Sequence, residues 1–185
     1  MYRFIPAALF VIGFTCLAPG FAAAAPDPAE KAKMDSDVDG ALSNLYTSVP
    51  GSQDITARAA GILVFPRVGK TSFLVGAEHG DGALRIGGND VDYYKIGGLS
   101  FGIQIGGERR SMVMAFMTKD ALQRFQASSG WDVGADATVA VVKTGASGKV
   151  EASQLDKPVQ IFIYGEKGLM ASVALGGTKI TKTSG

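Results

Sequence analysis

Few side chains in this sequence are of a type that does covalent chemistry, and the spacing argues against each of them. Ser100 lies in Gly98-Leu99-Ser100-Phe101-Gly102, the G-x-S-x-G pattern of a nucleophile elbow. An elbow needs a sharp strand-to-helix turn at the serine and a histidine later in the chain. Here strand-like alternation continues past the serine, and the only histidine, His79, precedes it. Gly69-Lys70-Thr71 ends like a phosphate-binding loop, but the glycine required five residues before Gly69 is Val64, and Pro66 lies between. His79 has no cysteine partner and no cluster of carboxylates in the sequence around it, so a zinc site has too few ligands. Asp90 and Asp92 are at most a weak calcium pair and read more simply as part of a solvated loop. No catalytic set, cofactor motif or metal site emerges.

What remains is cationic. Arg67, Lys70, Arg109 and Arg110 flank apolar segments, and Tyr93-Tyr94-Lys95 adds two aromatics beside another cation. A cationic rim over an apolar or small-faced surface suits an amphiphile with an anionic head. Taken singly, each residue also suits ordinary surface charge at a strand end.

Those residues need a scaffold, and the stretch 97–107, GGLSFGIQIGG, is its most distinctive part. At a period of two, Leu99, Phe101, Ile103 and Ile105 share one face, while Gly98, Ser100, Gly102, Gln104 and Gly106 share the other. Glycine inside a strand packs nothing and loses entropy on ordering. A run of it signals close approach of another backbone, sharp curvature of the sheet, or a ligand lying flat on that face.

The N-terminus reads as an export signal over residues 1–24. Arg3 supplies the positive end, residues 4–17 a short apolar core, and Ala22-Ala23-Ala24 a small-x-small cleavage site. The residues before Cys16, the one cysteine, do not suit lipidation. Cleavage after Ala24 would leave residues 25–185 as one domain with no disulfide, no thiol nucleophile and no thiolate metal site. Without Arg3 the chain carries 17 basic and 17 acidic side chains, so nucleic acid, which needs a positive field, is not an expected partner.

Residues 27–50 read as an amphipathic helix. Met34, Val38, Ala41, Leu42, Leu45, Tyr46 and Val49 fall on one stripe, with Asp35 as N-cap, Asp37 and Asp39 in the first turn, and Pro50-Gly51 as the stop. Such a stripe packs on the protein's own sheet or lies on lipid. The five acids in residues 27–39, against Lys31 and Lys33, disfavour docking on anionic lipid. A short helix over 52–60 follows, capped by Ser52 or Asp54. Strands are then expected at 62–65, ended by Pro66, and at 71–78. His79-Gly80-Asp81-Gly82 is the expected turn into 83–86, and 89–95 the expected loop before the glycine strand. Residues 111–117 are apolar on both faces, as in a strand covered on both sides. Thr118 caps a helix over 119–126. Further strands are expected at 136–143, 158–164 and 169–175, the last two joined through Gly165-Glu166-Lys167-Gly168. The pattern predicts an α+β protein: N-terminal amphipathic helices plus a strongly curved, mostly antiparallel, barrel-like sheet.

These segments together resemble the SYLF domain family. The resemblance rests on Ala60-Gly61-Ile62-Leu63-Val64-Phe65-Pro66 with Val68 and Lys70, and on Gly76 with Gly80-Asp81-Gly82. It continues through residues 97–106, Gly134-Ala135-Asp136-Ala137, and Tyr164-Gly165-Glu166-Lys167-Gly168-Leu169, spanning roughly 38–177. It departs at Asp92-Tyr93-Tyr94-Lys95, where the family pattern has a Trp and a Pro, and in the acidic leading helix. The resemblance implies lipid binding without catalysis, with Lys70, Ser100 and Gln104 on the family pattern; Arg67, Arg109 and Arg110 are added by their charge. The expectation is a non-catalytic binder of anionic phospholipid headgroups or a membrane surface, exported to the periplasm, the outer membrane or beyond. A scaffold for an envelope protein partner is the alternative, and a hydrolase using Ser100 a distant third.

Overall fold

The helices begin and end where their polar groups find partners. The computed structural model describes residues 27–70, 75–101, 110–133, 135–136, 138–142, 150, 156–165, 168–169 and 177–183. The expected export signal, residues 1–24, lies outside them. Helix α1 (Pro28–Ser48) starts at Asp27, not at Asp35. The Asp27 carboxylate accepts from the Ala29 N–H at 2.9 Å, and Pro28 takes a first-turn position where a missing N–H costs nothing. Asp35, Asp37 and Asp39 are therefore mid-helix residues free to reach sideways. Pro50-Gly51 stops the helix as expected, and Gly51 turns the chain at φ 87° into α2 (Ser52–Arg58). Neither Ser52 nor Asp54 caps α2. The buried Ser52 hydroxyl instead donates to the end carbonyls of α1, Val49 at 2.7 Å and Leu45 at 3.2 Å. Helix α3 (Lys119–Ala127) has the expected cap: Thr118 accepts from the Ala121 N–H. Among the described residues no helix is long and apolar enough to cross a membrane.

Among the described residues nine strands form one sheet: β1 (Gly61–Lys70), β2 (Val75–Ile86), β3 (Asn89–Phe101), β4 (Arg110–Phe116), β5 (Trp131–Asp132), β6 (Val139–Val141), β7 (Val159–Gly165), β8 (Gly168–Leu169) and β9 (Thr178–Lys182). Their order is β5-β9-β3-β2-β1-β4-β7-β6, with β8 also on β7. Among the described strand pairs only β6–β7 is parallel, and the sheet curls into a half-barrel, so the expected α+β class holds.

Three expected breaks are continuous strand. Pro66 does not end β1. The pairing of β1 with β4 jumps from Phe65–Met112 to Val68–Arg110, and its pairing with β2 from Val64–Ala83 to Gly69–His79. Pro66 sits in that bulge, where no ladder N–H is required of it. His79-Gly80-Asp81-Gly82 is not a turn but the middle of β2. Its glycines accommodate the bulge: a Cβ at Gly80 would lie 2.6 Å from the Arg67 carbonyl oxygen, and one at Gly82 would fall on the Val64 carbonyl and the Phe65 ring. The hairpin turn is Gly87-Gly88, where φ is +59° and +87°, the signs a tight two-residue hairpin demands. The expected loop 89–95 is consequently the first half of β3.

Alternation assigns the core to two faces. Leu63, Phe65, Met112, Met114, Phe116, Ile161 and Ile163 pack with Leu122, Phe125 of α3 and with Trp131 on one side. Ile62, Val64, Val113, Ala115, Phe162 and Tyr164 pack on the other against Val38, Ala41, Leu42 and Leu45 of α1 and Ile55 of α2. Strand β4 is thus covered on both faces, as its composition requires. The stripe of α1, for which the sheet and a lipid surface were both open readings, is packed on the sheet. At Gly98 the small face of the glycine strand is packed as well. A Cβ there would lie 2.9 Å from the Gly177 carbonyl oxygen and 3.0 Å from the Thr178 Cα. Gly102 and Gly106 lie outside the described residues.

Candidate functional site

Only the second half of α1 is buried, and this decides where the site lies. Val38, Ala41, Leu42 and Leu45 anchor that half, while the first turns carry exposed polar residues out past the β1 bulge. A groove of about 790 Å³ opens between those turns and the sheet. Its walls are Lys31, Lys33, Met34 and Asp37 of α1, residues 66–69 of the bulge, His79–Gly82 in β2, and Tyr93-Tyr94-Lys95 in β3. The bulge and the backbone of Gly80 and Gly82 opposite it form part of the groove wall.

Cations come to the groove from three elements. Lys33 Nζ lies 2.6 Å from Asp37 Oδ2, and Arg67 Nη2 reaches the same oxygen from β1. The Lys31 ammonium stands 5.8 Å from the centroid of the Tyr93 ring, a cation–π approach. Lys95 lines the same groove from β3. The Tyr93 hydroxyl donates to Asp35 Oδ1 at 2.8 Å, which ties β3 to α1. Burial, the hydrogen bond to Asp35 and the negative charges of Asp35 and Asp90 all push the Tyr93 phenol above its ordinary value, so it stays neutral and keeps donating. Tyr94, the next residue, points to the opposite face, 4.8 Å from the Phe125 ring centroid.

Of the residues expected to form the site, Arg67 is placed here with Tyr93 and Lys95, while the Tyr94 side chain belongs to the core on the opposite face. Lys70 ends β1, its backbone opposite Glu78, and its side chain lies outside what the structure describes. Arg110 opens β4 opposite Val68, half-buried at the far edge of the bulge. Ser100 lies inside β3 with its backbone opposite Gly76, so β3 runs through it without the turn that a nucleophile elbow requires. Gln104 and Arg109 lie outside the described residues.

Sequence reasoning passed over Lys31, Lys33 and Asp37, because it counted α1 as an acidic surface. The signal was present: Lys33 and Asp37 stand four apart, the spacing that pairs side chains along a helix. Asp90 and Asp92 are not in a solvated loop. Arg85 grips Asp90 with two hydrogen bonds of 2.7 and 2.9 Å and also reaches Asp39 at 2.6 Å, while Lys182 reaches Asp92 at 2.6 Å. The Asp90 hydrogen bond foremost, against the cost of burial, holds the Arg85 guanidinium still further above its ordinary value. A second, smaller cavity of about 570 Å³ lies beside that cluster, between Tyr46, Thr56 and the Gly87-Gly88 turn. Among the described residues no three of His, Cys, Asp and Glu converge to hold a metal.

Comparison with known proteins agrees with the sequence resemblance over one part of the chain. Residues 97–185, just under half of it, match the family model of the SYLF domain, Ysc84, described as a Las17-binding protein and actin regulator. The match begins at the glycine strand and includes Ser100, Gln104, Arg109 and Arg110, whereas Arg67, Lys70 and the α1 wall of the groove precede it. The family is one of binding domains. No curated protein matches the chain.

Proposed function

We propose that this protein is a non-catalytic lipid-binding module of the bacterial cell envelope, which takes the anionic headgroup of a phospholipid into the groove between α1 and the β1 bulge. One observation carries the reading: Lys31, Lys33, Arg67 and Lys95, brought from three separate elements, ring a groove whose floor is glycine backbone and whose wall includes Tyr93 and Met34. Cations at the mouth of a partly apolar groove suit a phosphorylated head joined to acyl chains. The SYLF match over residues 97–185 supports a binding role. Residues 1–24, read as an export signal, support an envelope location. Lys70, Ser100, Gln104, Arg109 and Arg110 are the further lipid contacts that the sequence suggests.

Co-sedimentation with vesicles tests it. The chain should bind vesicles of equal parts phosphatidylglycerol and phosphatidylcholine in preference to phosphatidylcholine alone. Replacing Arg67 and Lys70 together with Gln should lower that binding roughly thirtyfold, since each surface cation near an anionic leaflet contributes roughly 1 kcal/mol and about 1.4 kcal/mol is a factor of ten. Unchanged affinity in the double variant removes the groove as the site.

The description of the matching family as a Las17-binding protein favours a second reading, a scaffold that binds protein. An envelope partner that stays bound in detergent, with no lipid retained by the chain, would support it against the first.

A further inference from the structure

We infer that Asp37 is a built-in competitor for the headgroup: its carboxylate occupies the seat that a phosphoryl oxygen takes when lipid binds. The inference rests on the lipid-binding reading of the groove and goes beyond it. Two cations from different elements, Lys33 of α1 and Arg67 of β1, converge on one oxygen, Asp37 Oδ2. An oxygen shared by an ammonium and a guanidinium is the arrangement that also binds phosphate, Arg supplying directed donors and Lys a point charge. All three side chains line the groove, and none is sequestered: Arg67 is 56% exposed, Lys33 67% and Asp37 26%. Exposed ion pairs hold weakly, so a phosphodiester, whose two non-bridging oxygens can engage the guanidinium and the ammonium together, can displace the carboxylate. Glu30 and Asp81 also line the groove, but of its acids Asp37 is the one paired with both Lys33 and Arg67, and its two neighbours along α1 have other partners. Asp35 accepts from Tyr93 and Asp39 from Arg85, and neither touches a cation of the groove.

The consequence is a substitution that strengthens binding. Asp37→Asn keeps the shape of the side chain, removes its charge and leaves Lys33 and Arg67 without their competitor. Vesicle titration of the full chain, with the equal phosphatidylglycerol–phosphatidylcholine mixture and with phosphatidylcholine alone, reads the effect. Asp37→Asn should lower the lipid concentration at half-saturation on the mixed vesicles several-fold, up to about tenfold for the release of two such pairs. It should change nothing on phosphatidylcholine. Asp35→Asn makes the same change of charge on the same helix and also breaks a tie to the sheet, but frees no cation, so its effect should be several-fold smaller. Adding Arg67→Gln to Asp37→Asn should abolish the gain. Thermal unfolding of each variant shows that the fold is kept.

Equal tightening by Asp35→Asn and Asp37→Asn, or none by Asp37→Asn while the wild type still prefers the anionic vesicles, overturns the inference and leaves the lipid reading standing. A wild type that does not distinguish the two vesicles overturns the lipid reading, and the inference with it.

Discussion

Two glycines, one in α1 and one in β2, have sharply different surroundings. Gly40 is an exposed mid-helix glycine around which a Cβ meets nothing within 4 Å. Gly82 faces the β1 bulge, and a Cβ there has no room. Gly40→Ala should therefore raise stability by about 0.5–1 kcal/mol, the helix-propensity difference. Gly82→Ala should lower it by about 1–3 kcal/mol or more, as overpacking does. Urea unfolding of the two variants gives the comparison, and equal effects would contradict the bulge geometry. The sequence signalled that glycine in these strands marks backbone approach, and Gly98 and Gly82 obey it. It did not separate the glycines of a turn from those under a crossing strand. Gly80-Asp81-Gly82 and Gly87-Gly88 look alike locally, and only the jump in β1 pairing distinguishes them.

Two buried tyrosines give a pH dependence at the same scale. Burial foremost, with the charge of Asp92, pushes the Tyr94 phenol up to about 12. Burial likewise takes Tyr164 to about 12, opposed by its hydrogen bond with Ser111. Both remain protonated in the folded chain while an unfolded tyrosine ionises near about 10. The unfolded state thus releases protons first, and stability falls as pH rises from about 10 to about 12. The urea midpoint should be insensitive to these groups below about pH 10 and drop above it. Tyr94→Phe, whose lost hydroxyl has no hydrogen-bond partner, should flatten the drop. A midpoint that holds constant to about pH 12 would contradict this burial.

Among the elements, α1 does two jobs with its two halves. The second half is core: Leu45 is fully buried against the sheet, and the Tyr164 hydroxyl donates to the Ala41 carbonyl at 2.6 Å. The first half is the groove wall and is tied to the sheet by polar contacts from Asp35 and Asp37, by the partly buried Met34 and by the approach of Lys31 to the Tyr93 ring. Leu45→Ala should therefore cost about 2–5 kcal/mol, the range for emptying a packed site, whereas Asp35→Ala should cost under about 1.5 kcal/mol, the net worth of one hydrogen bond. Equilibrium unfolding checks both. A Leu45→Ala loss as small as that of Asp35→Ala would mean that α1 is not anchored as described. Periodicity made the apolar stripe and the stop at Pro50-Gly51 legible. It misplaced the start because three aspartates at 35, 37 and 39 resemble a capped first turn, while the actual cap, Asp27, is followed by Pro28 and then by polar residues without apolar rhythm. The Thr118 cap was legible because a polar N-cap there directly precedes a strongly periodic helix.

At the scale of the molecule, the class and the two-sided core were readable, since β4 and β7 are apolar on both faces and alternate strictly. The closure of the sheet was not. Strands β5 and β9 are short, and Thr178–Lys182 alternates only twice, so neither carries a periodic signal. Yet β9 covers β3 and places Thr183, which bonds the Tyr93 carbonyl at 2.7 Å, beside the groove. The site was half legible for the same reason. Arg67, Tyr93 and Lys95 were visible as residues, but the groove exists only when residues from 30 to 183 meet across four elements, and no local pattern encodes that meeting.

The most direct measurement is photo-crosslinking with phosphatidylglycerol carrying a photoactivatable group on its headgroup, in phosphatidylcholine vesicles, with adducts mapped by mass spectrometry. Adducts are expected within the groove walls, at residues 30–37, 66–69, 79–82 and 93–95. Adducts confined to α3 and β5, on the opposite side of the sheet, or labelling no greater than that of the Arg67 and Lys70 double variant, would contradict the groove as the site.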